Sequence, residues 1–570
     1  MSTPRKPVIY QLLPRLFTNY NDACVPGGTI GQNGCGKLND ITPAVLRGIK
    51  ELSVSHVWYT GVIEHAHCPD YTDFGITRDN PHVVKGQAGS PYAISDYYDI
   101  DPDLAVNPAK RIEEFEALVA RTHDAGLSVI IDFVPNHVAR RYASDAAPAD
   151  APADLGEGDN IDMFFSPDNN FYYITRQLFA PYDVDLGEGK KAYVEFPAKA
   201  SGNDCYNAFP SRNDWYDTVK LNYGVDPANG SHHFDPIPST WHKMLHILRY
   251  WASKGIDGFR CDMVHMVPLE FWSWAISNIK AEYPHIIFIA ELYDINLYRP
   301  FISIGGFDYL YDKSGIYDTL RAIQTGSVSA AALTSCWQQT EGIADHMLNF
   351  LENHDEQRFA SPQYAGDPAK IIPSLVVLSM INTGPVMIYM GQELGEPGTD
   401  EEGYSGRDGR TSIFDYWSVA TLRRWLTGDG PGCPSEALLT PRELWLRGRY
   451  KNILAIASSQ KAVTTGRFFD LMYVNYDNPA FNPHRHYAFL RSTPSETLLI
   501  AVNFGSDSSD LRINIPSHAF DMLQIPDSPR PRQATELLSG KKGQIVFSSE
   551  APFHTFLPPY EAVVWRFTRN

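Results

Sequence analysis

The chain has 570 residues, 43% of them hydrophobic and 20% charged, with a formal net charge of −19. That length supports a large core in several domains, and the acidic balance excludes nucleic acid or an anionic membrane surface as a partner, since phosphate binding needs clustered Lys and Arg. The seven cysteines, at 24, 35, 68, 205, 261, 336 and 433, are odd in number and form no CxxC pair, which excludes a disulfide framework or a Cys-rich zinc site and fits a reducing compartment. The N-terminal stretch "MSTPRKPVIYQLLPRLF" is interrupted by Pro7, Gln11, Pro14 and Arg15 and has no apolar h-region, so it is not read as a signal peptide. A cytoplasmic location is expected, with the periplasm or the exterior as the alternative if a leader has been removed.

Short apolar strands alternate with amphipathic helices along most of the chain. "KPVIYQLL" (6–13) opens the series and "SVSHVWYTGV" (53–62) follows a helical stretch. The segment "NPAKRIEEFEALVARTHDAGLSVIIDFVPNH" (107–137) is a complete helix–Gly–strand unit. Asn107 is read as its N-cap and Pro108 as its first helical residue. Ile112, Phe115, Leu118 and Val119 form its apolar stripe, and Gly126 stands where a left-handed C-terminal residue is needed. The unit recurs at 239–264, at 269–292 and at 367–393. Repeated units of this kind predict a parallel sheet, doubly wound or closed as a (β/α)8 barrel. No Gly-rich phosphate fingerprint follows the first strand, which disfavours a dinucleotide site.

Two regions depart from the pattern. Residues 138–240 are rich in Asp, Asn, Gly, Pro and Tyr and include "SDAAPADAPADLGEGDN", read as a mobile surface loop. They predict a domain grown from the loop after the third barrel strand. From about 460 the sequence reads as short strands separated by turns, a C-terminal all-β sandwich. The uncharged run at 373–391 is near membrane-spanning length, but its Ser, Asn, Thr-Gly-Pro content predicts a buried helix, a turn and a core strand. The expected division is therefore barrel 1–137, inserted domain 138–240, barrel 241–455 and sandwich 456–570.

Polar clusters end four different apolar strands: Asp132, Asn136 and His137 in "DFVPNH"; Arg260, Asp262 and His265 in "GFRCDMVH"; Glu291 in "IIFIAEL"; His354 and Asp355 in "ENHD". In a barrel all would meet at one mouth. Period-2 alternation points Arg260 and Asp262 to the same face and Cys261 to the other. Singly, each has an ordinary structural explanation; together they suggest acid–base chemistry on an uncharged substrate.

In this order, the four motifs resemble the signature regions of the α-amylase family, glycoside hydrolase family 13, over roughly residues 7–455. "SPYAISDYYDIDP" resembles the segment that supplies a sugar-stacking Tyr, here Tyr92, and "TVKLN" (218–222) a fifth region in the inserted domain. The resemblance implies Asp262 as nucleophile, Glu291 as general acid/base and Asp355 as the carboxylate that holds sugar hydroxyls. It implies that Arg260 keeps Asp262 ionised, and that Asp132, His137, His265 and His354 join Tyr92 and Arg260 in contacting the sugar. Retaining glycosidases need this pairing of an attacking and a protonating carboxyl, with the acid's pKa raised. The implied activity is retaining hydrolysis of α-glucans or malto-oligosaccharides. Transglycosylation at the same site stays open, as does an inactive saccharide-binding homologue. No cofactor is required. Asn136 matches a calcium contact of the family, but His265 and Met266 stand where calcium-binding relatives carry Lys-His, which leaves a metal at that site open. Linkage preference, endo or exo action and oligomeric state are not read from the residues.

Overall fold

The computed structural model describes residues 6–186 and 192–568, so the first five residues of the N-terminal segment lie outside the described residues. Eight parallel strands form one sheet: β1 (Val8–Leu12), β2 (His56–Tyr59), β3 (Ser128–Phe133), β4 (Gly258–Cys261), β5 (Ile287–Ala290), β6 (Tyr309–Tyr311), β7 (Met347–Leu348) and β8 (Val386–Tyr389). Each strand from β1 to β7 pairs with the next, and β8 pairs with β1. A parallel bridge between Asn349 and Val386, with the Asn349 N–H donating to Pro385 O at 3.0 Å, closes the barrel between β7 and β8.

Alternation along the strands builds two cores. Ile9, Trp58, Ile130, Ile289, Tyr311, Leu348 and Met387 point inward from seven strands and pack as one cluster. From β4 the inward position is Arg260, fully buried, while Phe259 and Cys261 face outward into the larger core beneath the helices. A charge inside an apolar barrel demands compensation nearby.

Helix α1 (Arg111–Asp124) buries Phe115, Leu118 and Val119 as its stripe predicts. Its start differs from the expectation: Asn107 caps a 3-10 turn over Pro108–Lys110, and the α-helix begins three residues later at Arg111. Lys110 at φ −122° breaks the regular helical path between the two. Gly126 takes φ +69°, the left-handed geometry its position requires. Helices α2 (Ser239–Ser253) and α3 (Leu269–Glu282) precede β4 and β5. The run at 373–391 resolves into the buried helix α4 (Ile372–Met380), a turn and β8. No helix among the described residues is long and apolar enough to cross a membrane.

Between β3 and α2 the chain is largely irregular, held by two short antiparallel pairs: 137–139 with 218–220, and 173–174 with 198–199. Residues 144–160 form neither helix nor strand. The Asp96 carboxylate gathers the start of that stretch by accepting from Ser144 Oγ and from the N–H groups of Asp145 and Ala146. Beyond the barrel, an antiparallel six-stranded sheet and a two-stranded sheet pack face to face, with the Phe553 ring 6.3 Å from Trp565 and 6.1 Å from Phe567.

Candidate active site

The ladder hydrogen bonds of the barrel continue one residue past two strands. The N–H of Asp262 donates to Phe133 O at 2.9 Å, and that of Glu291 to Cys261 O at 3.0 Å. Both carboxylates therefore stand on rigid strand ends at the C-terminal mouth, the face where barrel loops gather. His354 and Asp355 approach from the loop after β7, and Tyr92 from the loop after β2.

Arg260 reaches up into this mouth and is shared. Its Nη1 lies 2.8 Å from Asp262 Oδ1 and 3.4 Å from Asp132 Oδ1, and its Nη2 lies 2.7 Å from Glu291 Oε2. The guanidinium also lies 5.2 Å from the Tyr92 ring centroid and 5.3 Å from that of Trp58. Asp132 is anchored by the Trp58 indole N–H at 3.1 Å and the Gly61 N–H at 3.2 Å.

Besides its ion pair with Arg260, Glu291 accepts two hydrogen bonds: the Met263 N–H donates to Oε2 at 2.9 Å and the Tyr293 hydroxyl donates to Oε1. Met263 adopts φ +43°, a left-handed conformation that side-chain-bearing residues seldom take and that is found at functional sites.

A second network surrounds His354. Gln11 Nε2 lies 2.7 Å from its Nδ1, which fixes the orientation of the ring. The ring's Nε2 lies 2.9 Å from Asp355 Oδ2 and 2.6 Å from the Tyr92 hydroxyl. Tyr92 stacks on the His354 ring at 5.2 Å and 25°. Burial pushes the Asp355 carboxyl up, but the adjacent His354 ring and its hydrogen bond, with Arg260 and Arg410, outweigh it, and the net result is a carboxyl lowered to about 2. Its side chain is 43% exposed to the pocket, so solvent screens part of that attraction.

The pKa of Asp262 departs from the sequence expectation. Burial, then repulsion from Glu291, push its carboxyl well above the usual range, and Arg260 only partly opposes them. The reason is geometric: one guanidinium divided among three carboxylates cannot fully compensate any of them.

These residues border a cavity of about 320 Å³ lined by Tyr92, His137, Asp262, Glu291, Tyr293 and Asp355, with Lys85, Trp215, Asp217 and Phe414 among its other walls. Arg260, Asp132 and His354 lie just behind that lining, buried. His137 is buried against the Trp215 ring at 5.2 Å, and burial, with Lys220 and Lys85 nearby, lowers its pKa to about 3, so it is a neutral imidazole. His265 stands apart: it is exposed on a 3-10 turn (264–266) outside the cavity lining. Asn136 donates from Nδ2 to Gly202 O at 2.8 Å and accepts at Oδ1 from the Lys220 ammonium. A larger cavity of about 680 Å³ lies between barrel and C-terminal domain, away from the strand mouths.

Sequence reasoning missed Tyr293, Trp58, Trp215 and the Lys85–Asp217 ion pair at 3.0 Å. Tyr293 had a signal, two residues beyond Glu291. Lys85 and Asp217 had none, since loops distant in sequence bring them together.

Residues 11–285 match a family model described as the alpha amylase catalytic domain. The chain is 26% identical to an alpha-1,4-glucan:maltose-1-phosphate maltosyltransferase of Mycolicibacterium smegmatis over 56% of this chain and 36% of that protein. The chain thus spans about a third of that curated relative. It is 21% identical to a cyclomaltodextrinase of Geobacillus thermopakistaniensis over 98% of this chain and 76% of that one. In fold it is similar to the α-amylase of Geobacillus thermoleovorans solved with acarbose, at a TM-score of 0.63 and 18% identity, each chain fully covered. With its closed barrel, its ordered strand-end motifs and this catalytic-domain match over residues 11–285, the chain is similar to the α-amylase family, glycoside hydrolase family 13.

Proposed function

We propose that the chain is a retaining glycoside hydrolase that cleaves α-glucosidic bonds in malto-oligosaccharides or related α-glucans. The observation that carries this reading is Arg260 joining Asp262 and Glu291 at one pocket wall, with Asp355 on the same cavity. Two carboxyls of one pocket in unequal surroundings are what a nucleophile and an acid/base require.

In the reactive complex Glu291 carries the proton that the leaving oxygen needs, and Asp262 is anionic beside Arg260. An Asp262 oxygen attacks the anomeric carbon, the bond to the leaving oxygen breaks, and Glu291 supplies the proton to that oxygen. Glu291, now ionised, takes a proton from water, whose oxygen displaces Asp262 and restores the starting state. Asp355, ionised at all working pH values, accepts hydroxyl protons of the sugar and opposes the positive charge that develops on the ring. Tyr92 offers an aromatic face, and neutral His137 a hydrogen-bond partner without added charge.

A second reading is transfer to a sugar hydroxyl in place of water. The maltosyltransferase relatives favour keeping it, since the same intermediate serves both outcomes. Product analysis on maltotriose separates them: glucose and maltose alone mean hydrolysis, and longer oligomers mean transfer. Unchanged maltotriose, with starch and cyclodextrins also untouched, would overturn both readings and leave a saccharide-binding protein.

A further inference from the structure

The inserted domain meets the barrel through Lys220. Its register partner is His137, in the short antiparallel pair 137–139 with 218–220. That register carries the Lys220 side chain inward, where it is only 5% exposed. Its Nζ donates to Asn136 Oδ1, lies 3.1 Å from Met266 O, and lies 2.7 Å from Asp204 Oδ1. An ammonium has three N–H groups, and here each has one oxygen. The three oxygens come from three places: the end of β3, the turn after Asp262, and the inserted domain.

Asn136 and the fourth residue after Asp262, Met266, are the positions at which calcium-binding relatives hold a metal. A calcium ion takes six to eight oxygens at roughly 2.3–2.6 Å. The donor set here does not fit one, because a tethered cation already engages the amide, carbonyl and carboxylate oxygens.

We propose that the Lys220 ammonium takes the place of a divalent cation at this junction, so that the site binds no metal, docks the inserted domain and positions His137. The last effect runs through Asn136, whose Nδ2 lies 3.1 Å from His137 Nδ1 and donates to Gly202 O. Gly202 itself packs tightly on His137: a Cβ there would meet the His137 Cβ at 3.0 Å. Lys220 is thus a positioning residue, and the inference does not depend on the proposed chemistry.

The test uses the full-length chain and three proteins: wild type, Lys220→Met and Lys220→Asp. Thermal midpoints are measured in EDTA and in millimolar calcium, with KM and kcat measured separately. Wild type is expected to melt at the same temperature in both buffers. Lys220→Met leaves Asp204 and two buried oxygens without a cation and is expected to melt roughly 2–5 °C lower, with a raised KM from the displaced His137. Lys220→Asp restores an all-oxygen site and is expected to gain a midpoint rise in calcium that wild type lacks. A calcium-dependent rise in wild type equal to that of Lys220→Asp would overturn the proposal. So would a Lys220→Met protein that melts and binds as wild type does. Loss of turnover in all three proteins, with these midpoints as expected, would count against the proposed function and leave the cation replacement standing.

Discussion

Replacing Arg260 by Met examines the charge balance of the site directly. The guanidinium is fully buried and faces Asp262 at 2.8 Å, Glu291 at 2.7 Å and Asp132 at 3.4 Å. Methionine fills most of its volume but leaves three carboxylates inside the barrel without their cation. Removing one partner of a buried ion pair costs about 3–5 kcal/mol. At about 2.1 cal/mol/K per residue, a barrel unit of this size should lose roughly 4 °C of melting temperature at pH 7. The pH dependence follows from the direction of the Asp262 shift. Burial and Glu291 already hold that carboxyl above its unfolded value, and Arg260 opposes them. Without Arg260 the folded-state pKa rises further. A carboxyl with a raised folded pKa adds stability that is fully present below its unfolded pKa and is lost as pH rises through the folded value. The variant's deficit against wild type should therefore be smallest at acid pH and grow as pH rises through the folded-state value. Paired thermal scans at several pH values measure it. A deficit independent of pH, or one under 1 °C at pH 7, would refute the reasoning that the three carboxylates rely on this cation.

Other outcomes follow from the same geometry. Asp262→Asn should melt no lower than wild type, since it removes a carboxyl whose ionised form is disfavoured by burial and by Glu291, and should lose roughly 10⁴-fold or more in kcat; near-normal turnover on malto-oligosaccharides would end its assignment as nucleophile. The acid limb of kcat/KM reports the free enzyme. It should lie above the ~3.9 of an ordinary aspartate, because Asp262 is raised and is inert when protonated. Asp355, at about 2, should set no limb in the assay range, and a limb that moved with Asp355→Asn would contradict this. Asp217 is buried, ion-paired to Lys85, and its carboxylate oxygens make no hydrogen bond among the described residues. Asp217→Asn leaves the Lys85 ammonium without its counter-charge and should therefore lower the melting temperature; an unchanged midpoint would show that the pair contributes nothing to stability.

Much of the fold is legible in the residues because it rests on local rules. The helix–Gly–strand units appear through apolar periodicity, and the ends of the strands reveal Asp132, Arg260, Asp262 and Glu291 as one mouth. The pairing of Arg260 and Asp262 on one face follows from alternation alone. What is not legible depends on distances that only packing sets. Alternation cannot say that Arg260 is also within reach of Glu291, and so it misjudges which way Asp262 shifts. His265 shares a strand-end cluster with Arg260 and Asp262 in the sequence, yet the turn after Met263 carries it out to solvent. Lys220 looks like any lysine in a strand until its register opposite His137 brings it to Asn136 and Met266.

The central claim is that Asp262 becomes covalently bound to sugar, and one trapping measurement tests it. In a Glu291→Gln variant, α-glucosyl fluoride can still glycosylate Asp262, because fluoride leaves without a proton. The intermediate then persists, because no base remains to activate water. Digestion and mass spectrometry should find one glucosyl group on the peptide that contains Asp262. A glucosyl group on any other residue, or none while wild type hydrolyses the same fluoride, would contradict the account.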